Sequence, residues 1–440
     1  MFELSALGVE WGTFLLFGMM IVLLILGKPL AYLTGFVAMF YAIGWFGPKV
    51  LPLLTSRIYS FVGEYTLIAV PMFVLMASLL DRTNIARDLY NGMQFFGGRL
   101  RGGVAVQTLI VAVFLAAMSG IIGGETVLLG MLALPQMLRL GYDKKLAIGT
   151  VCGGGSLGTM VPPSIVLIIY GLTANVSIGD LFTGAVVPAL MLAGFYLIYI
   201  IVRCYLQSKL APSTNRDKSD GPVNLKKTVL DIAAPGMIIF FVLGSIYGGV
   251  ASVTEAASVG VFAVLLLAAL RKELKLAVLK SSIVQTMRTC GMIIWIGISA
   301  SALIGVYNLM GGNRFVKSMI LGLEVSPLLI IVMMMAILIF LGMFMDWIGI
   351  ALLTMPIFVP IVTGLGYNPV WFGVVFCMNM QVSFLSPPFG PAAFYLKSVA
   401  PPEITLMDIF SSVWPFIIMQ LLALSLVVLN PQVAMWLVNL

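Results

Sequence analysis

Not one histidine occurs in the 440 residues of this chain. That excludes zinc sites of the usual kind, imidazole proton relays and any hydrolase in which histidine activates a serine. Cysteine is scarce as well. Cys152, Cys204, Cys290 and Cys377 are scattered through apolar or cytoplasmic-looking stretches and suggest no disulfide framework. Charge is the third shortage. Asp, Glu, Lys and Arg make up 9% of the residues against 61% hydrophobic ones, far outside the range of a soluble domain. No P-loop pattern is present, so no nucleotide-binding module is expected. No Lys or Arg precedes the first apolar run and no small-residue cleavage site follows it, which predicts a retained helix rather than a signal peptide.

What the chain has instead is length without charge. Windows such as 181–202, 232–253 and 325–345 are uncharged and long enough to cross a bilayer. This predicts an all-α polytopic membrane protein. The chain also repeats itself. Leu140-Gly141-Tyr142 followed by Pro162-Pro163 returns as Leu365-Gly366-Tyr367 followed by Pro387-Pro388, and 365 − 140 and 387 − 162 both equal 225. Pro135/Pro360 and Tyr170/Tyr395 keep the same offset. Repetition in so apolar a chain is the signature of a transporter built from two copies of one membrane unit. Each double proline must break a helix, and freed backbone at membrane depth is tolerated only where it is buried in protein or lines a cavity. Two breaks at matching places point to a substrate site between the halves.

A net charge of +7 could suggest nucleic acid, but its placement argues against that partner. The apolar runs predict crossings at about 11–27, 29–47, 61–80, 146–174, 181–203, 229–249, 252–270, 282–305, 369–397 and 408–430. The stretches 103–139 and 326–364 are each long enough for two short arms. If both are re-entrant hairpins, 20 Lys and Arg fall on one face and only Lys49, Arg57, Arg314 and Lys317 on the other. That asymmetry is what the positive-inside rule asks of the cytoplasmic side. Single long crossings would split the basic clusters between faces. The hairpin reading makes the fold two inverted-topology repeats, each with a re-entrant helical hairpin and a Pro-Pro-broken helix. Sustained polarity is confined to 207–227, which reads as a cytoplasmic linker.

Several motifs together carry a resemblance. Ile68-Ala69-Val70-Pro71-Met72-Phe73, GGRLRGG at 97–103, Leu140-Gly141-Tyr142 and GTMVPPSIVLIIY at 158–170 are similar to the large membrane subunit of tripartite ATP-independent periplasmic (TRAP) transporters. So are Thr254-Glu255-Ala256-Ala257, MPIFVP at 355–360 and SPPFG at 386–390. The match covers nearly the whole chain except the linker. One departure is Gly123-Gly124-Glu125-Thr126, where a small Ser/Ala-rich turn is common in better-known members. The resemblance implies a multi-pass protein of the bacterial inner membrane that imports an organic anion, usually a carboxylate, without acting as an enzyme. Its implied partners are a periplasmic solute-binding protein and a small four-helix membrane subunit, with membrane lipid around both subunits. Sodium ions would drive uptake, with no other cofactor. An elevator mechanism would divide the chain into scaffold (1–101 and 229–322), transport halves (102–203 and 323–440) and linker (204–228).

Physical chemistry places the site at the hairpin tips and helix breaks. A half-helix ending in the membrane offers free N–H groups at its start for a carboxylate and free C=O groups at its end for a cation. One sodium site is therefore expected at Ser119, Gly123, Glu125, Thr126, Gly155, Ser156 and Thr159. A second is expected at Gly342, Asp346, Asn379, Ser383 and Ser386. Gly124, Pro162, Pro163, Ser164, Pro387, Pro388 and Gly390 are the candidates for substrate. Glu125 and Asp346 stand out because ionisable groups at membrane depth are expensive and usually functional, although each also sits where an acid suits a helix start. The run Gly153–Gly155 reads either as close helix packing or as part of the ion site. Thr254-Glu255 reads as a helix cap, Glu64 as a solvated interfacial acid, and the methionines of the second half as core filling.

Two other function classes compete. An aspartyl intramembrane hydrolase needs two facing acids and a serine type needs a base, and the missing histidine and the repeat argue against both. An autonomous sodium- or proton-coupled dicarboxylate-type carrier, working without a binding protein, would show the same broken-helix site.

Overall fold

Helices account for all the regular structure in the computed structural model of this chain, which describes residues 4–97, 100–120, 123–211, 225–322 and 325–440. The first half comprises α1 (Gly8–Ile25), α2 (Leu30–Phe46), α3 (Leu51–Val62), α4 (Ala69–Arg82), α5 (Ile85–Gly97), α6 (Gly103–Ser119), α7 (Gly124–Arg139), α8 (Lys144–Ser156), α9 (Ile165–Ala174) and α10 (Ile178–Leu206). The second comprises α11 (Leu225–Tyr247), α12 (Val253–Leu270), α13 (Leu276–Leu309), α14 (Gly312–Leu321), α15 (Pro327–Gly342), α16 (Trp347–Gly364), α17 (Pro369–Leu385), α18 (Pro391–Lys397) and α19 (Leu406–Leu429), with a final turn α20 (Gln432–Met435). A shift of 225 residues carries α6 onto α15, α7 onto α16, α8 and α9 onto α17 and α18, and the short α5 onto α14. One step differs. α3 and α4 are separate helices joined through Gly63 and Glu64, whereas α13 runs unbroken for 34 residues, roughly 50 Å at 1.5 Å per residue.

The repeated Leu-Gly-Tyr motif has a local physical job. Gly141 and Gly366 take positive φ (81° and 85°), which a glycine adopts without strain. Tyr142 N–H then donates to the Met137 carbonyl and Gly141 N–H to that of Leu138, each at 3.0 Å; Tyr367 and Gly366 do the same with Val362 and Thr363 at 3.1 Å. This paired closure is the Schellman motif that stops a helix. The next residues restart it. Asp143 accepts from Leu146 N–H at 2.9 Å and Asn368 from Val370 N–H at 2.7 Å, so each is an N-cap. The motif therefore ends a hairpin arm and launches the broken helix. At the α2–α3 corner, Gly47 (φ 70°) and Pro48 turn the chain by 117°.

Packing puts the broken helices at the centre. α8 is buried from Leu146 to Ser156, α9 from Ile165 to Gly171, and α17 from Val370 to Leu385. α6, α7, α10 and α19 surround them, while α2, α4, α12 and α13 form a second packed group. Glycine makes the close approaches possible. Gly149 and Gly153 lie under the Phe416 ring of α19, and Gly154 lies against Ala112 of α6, where any added Cβ would collide. Gly153 and Gly154 thus serve helix packing, as small residues do in membranes.

Among the described residues, eight helices are long and apolar enough to cross a membrane, or nine if the bent α2–α3 pair counts as one span. The expected crossings at 146–174 and 369–397 are each two short helices around their double proline, whose Pro-Pro bonds are both cis. α16, expected as a hairpin arm, is by length alone able to span. The helices α3, α5 and α14 lie where no crossing was expected. α13 also extends beyond the expected 282–305, because nothing at its ends breaks the helix until Met310-Gly311. Both ends of the expected linker 204–228 are helical: α10 runs to Leu206 and α11 starts at Leu225, and residues 212–224 lie outside the described residues. What precedes them is pinned, since Asp143 N–H donates to the Leu210 carbonyl at 2.8 Å.

Candidate functional site

The first hairpin tip reaches into the first helix break. Gly120, in left-handed conformation (φ 55°), closes α6; its Cα lies against the Pro163 carbonyl, and its own carbonyl accepts from Ile165 N–H at 3.3 Å. Residues 121–122 of the expected tip lie outside the described residues. On the far side of the tip, Glu125 is 3% exposed. Its Oε1 accepts a hydrogen bond from Ser119 Oγ, and Oε2 has no partner among the described residues. The carboxylate rests against Gly158, where a side chain would displace it. Thr126 Oγ1, also without a partner, packs on Gly155. Within the break Thr159 Oγ1 donates to the Ser156 carbonyl at 2.9 Å, and Ser164 Oγ donates to the Thr159 carbonyl. Buried polar atoms without partners are costly, and here two acceptor oxygens face one small region.

Two of the expected first-site residues point elsewhere. Gly123 (φ 105°) packs under the Tyr395 ring of α18, not against the break. Ser156 Oγ donates to the Gly153 carbonyl at 2.7 Å and accepts from Gln420 Nε2 at 3.1 Å. The Ser156 carbonyl also accepts from Gln381 Nε2 at 3.1 Å, and 381 is the repeat partner of 156. The two broken helices therefore touch at equivalent residues.

The second tip and break meet at one point and diverge at another. Gly342 lies directly on Ser383 Oγ. Asp346 is the N-cap of α16, its Oδ2 accepting from Ile348 N–H at 3.2 Å. Ser383 and Ser386 return their hydroxyl protons to the Asn379 and Val382 carbonyls, at 3.3 and 2.7 Å. Asn379 is further down the arm. Its Nδ2 donates to the carbonyl of Met335 at 3.0 Å, seven residues before Gly342, and its Oδ1 is without a partner among the described residues. Gly390 starts α18 pressed against the Leu385 carbonyl. The first double proline is buried, but Pro388 is exposed, and Phe389 beside it is 56% exposed.

A cavity of about 540 Å³ joins these parts. One wall is α4 and α13, contributing Ser78, Asp81, Arg82, Gln285 and Thr289; the other is the two tips (Gly123, Gly124, Gly342, Asp346) with Ser383 and Tyr395. Of the expected substrate residues only Gly124 lines it, and the Asp81 carboxylate sits beside that glycine. Asp81 and Arg82 escape a reading of sequence alone because charge at a helix end looks interfacial, and Gln285 and Thr289 because single uncharged polar residues inside a long helix carry no signal. Tyr395 was visible only as a repeat position. Elsewhere, Glu255 forms a capping box with Ser252, whose N–H donates to Glu255 Oε2 at 2.7 Å, and Glu64 is exposed. Among the described residues no cluster of three or more His, Cys, Asp or Glu could hold a metal ion.

The chain has clear relatives. The family model described as "Tripartite ATP-independent periplasmic transporter, DctM component" matches residues 17–433. The C4-dicarboxylate TRAP transporter large permease protein DctM of Vibrio cholerae is 27% identical, with 96% of each chain covered. The ectoine TRAP transporter large permease protein TeaC of Halomonas elongata is 29% identical over 97% of this chain and 98% of its own. Among solved structures, the YdaH transporter of Alcanivorax borkumensis superposes with a TM-score of 0.61 at 14% identity, covering 89% of this chain and 88% of that one. At that identity the likeness concerns the fold.

Proposed function

Because this chain belongs to the DctM component family of tripartite ATP-independent periplasmic transporters, a multi-pass permease of the inner membrane and not an enzyme, we propose that it imports an organic anion coupled to a sodium gradient. A periplasmic solute-binding protein delivers the substrate, and a small four-helix membrane subunit braces the large one. α1–α5 and α11–α14 act as the scaffold, and the hairpins with their broken helices carry substrate and ions past it. The hairpins α6–α7 and α15–α16 are re-entrant and the two halves inverted, with the basic face in the cytoplasm.

One observation carries the coupling. Glu125 Oε2 and Thr126 Oγ1 are buried acceptor oxygens without donors, gathered where the first tip meets the first break. A hard cation is the ligand that an anionic, oxygen-only pocket suits. The cavity between scaffold and tips, with Arg82 in its wall, supports a neighbouring seat for a carboxylate.

The test is uptake into proteoliposomes holding both membrane subunits, with loaded binding protein outside. Uptake should require an inward sodium gradient and no ATP. Equal uptake with potassium in place of sodium on both sides would remove sodium from the mechanism, and uptake without the binding protein would favour an autonomous carrier.

A further inference from the structure

A second cavity, of about 630 Å³, opens at the other end of α13, between α3 and α13 on one side and α9 and α16 on the other. Residues 285–293 of α13 line the first cavity and 301–308 line this one, at least about 12 Å further along the helix. Among the described residues, its only ionisable lining residue is Arg57. The Arg57 stem lies on Gly305, where a Cβ would come within 3.1 Å of Cδ, so the guanidinium is seated against α13. Among the described residues no carboxylate pairs with it. An arginine in such a place fits a planar anion.

The amides of the same cavity specify more. Pro360 has no N–H to give the Pro356 carbonyl, and Asn313 Nδ2 supplies the missing donor at 3.4 Å. That bond fixes the amide and leaves Asn313 Oδ1 as an acceptor. Asn313 Oδ1 and Asn308 Oδ1 are both buried without a hydrogen-bond partner among the described residues. The cavity is thus lined by one exposed cation and by two asparagines whose buried amide oxygens are unmet. A dicarboxylate would satisfy Arg57 with one end and meet bare amide oxygens with the other. A monocarboxylate that also carries an ammonium or hydroxyl group satisfies all three.

We propose that this cavity is a receiving site, separate from the one at the hairpin tips, for a monocarboxylate bearing a hydrogen-bond donor, held by Arg57 and read by Asn308 and Asn313. The assignment rests on the transport reading above, in which this end of α13 faces the periplasm. In the first cavity, too, acceptors outnumber cations among the described residues, with Arg82 beside Asp81, Asp346 and Ser78.

The test is equilibrium binding to the purified large and small subunits in nanodiscs. It is made in potassium buffer without binding protein, so it does not depend on sodium-driven uptake. The probes are four molecules of one carbon length: 4-aminobutyrate, 4-hydroxybutyrate, butyrate and succinate. Either donor-bearing monocarboxylate should bind more tightly than both butyrate and succinate. Arg57→Gln should weaken that binding about tenfold or more, with Arg57→Lys between. Asn308→Asp, similar in shape but anionic, should weaken it too, and serves if Arg57→Gln does not fold. Succinate binding most tightly, no preference among the four, or unchanged affinity in the Arg57 and Asn308 variants would overturn the proposal.

Discussion

Glu125 and Asp346 are both acids at the start of a hairpin's second arm, yet they are held differently. Asp346 spends an oxygen on capping α16, while Glu125 caps nothing and keeps one oxygen unpaired. Removing only the charge separates these roles. Glu125→Gln can keep the bond from Ser119, so the folded protein should melt as the wild type does. Its half-saturating sodium should rise about tenfold or more, equivalent to about 1.4 kcal/mol of lost cation attraction, or transport should stop. Asp346→Asn preserves the cap, because Asn is about as good there as Asp; a matching rise in sodium requirement would place it at a cation as well. Wild-type sodium dependence in Glu125→Gln would remove that residue from the ion site. Both acids stood out in the sequence because they interrupt apolar runs. Asp81 did not, because an Asp-Arg pair at the end of a helix looks like an ordinary interfacial flank. Asn379 shows the opposite limit: its spacing from Ser383 was legible, but not that its amide would be taken up by Met335 on the neighbouring arm.

At the scale of elements, the long helices and both breaks could be read because apolar runs and double prolines are strong, local signals. The amphipathic α3, α5 and α14 were not, since a dozen half-polar residues beside a membrane span look like loop. The joint between α3 and α4 was hidden for another reason. Gly63 and Glu64 end a helix in the first half, while the equivalent Arg288 and Thr289 continue one in the second. Glycine offers a test of what the packing requires. Gly153 lies under Phe416, so Gly153→Val should destabilise the detergent-solubilised protein by about 1–3 kcal/mol, with partial recovery in combination with Phe416→Leu. Gly194 has open space where its Cβ would be, so Gly194→Ala should be neutral or stabilising. Equal melting temperatures for Gly153→Val and wild type would mean that α8 and α19 are not in contact under those conditions.

For the whole molecule, the proposed orientation is decided by where the hairpins return. Lys272, between α12 and α13, and Asn439, past α20, are both exposed and fall on opposite faces if both hairpins are re-entrant. The four native cysteines are all buried, which makes a clean background for labelling. On intact cells an impermeant thiol reagent should label Asn439→Cys and not Lys272→Cys. Labelling of both would turn one hairpin into a crossing, α16 being the arm long enough for it. The joint at Gly63–Glu64 has a larger consequence for such a machine. Two identical halves in opposite orientation would make the inward and outward extremes of the cycle equivalent by a two-fold rotation, equal in energy when empty. A hinge on one side facing an unbroken rod on the other removes that degeneracy. On the proposed elevator reading, the unloaded carrier would then have a preferred resting side set by its own architecture, before any gradient is applied.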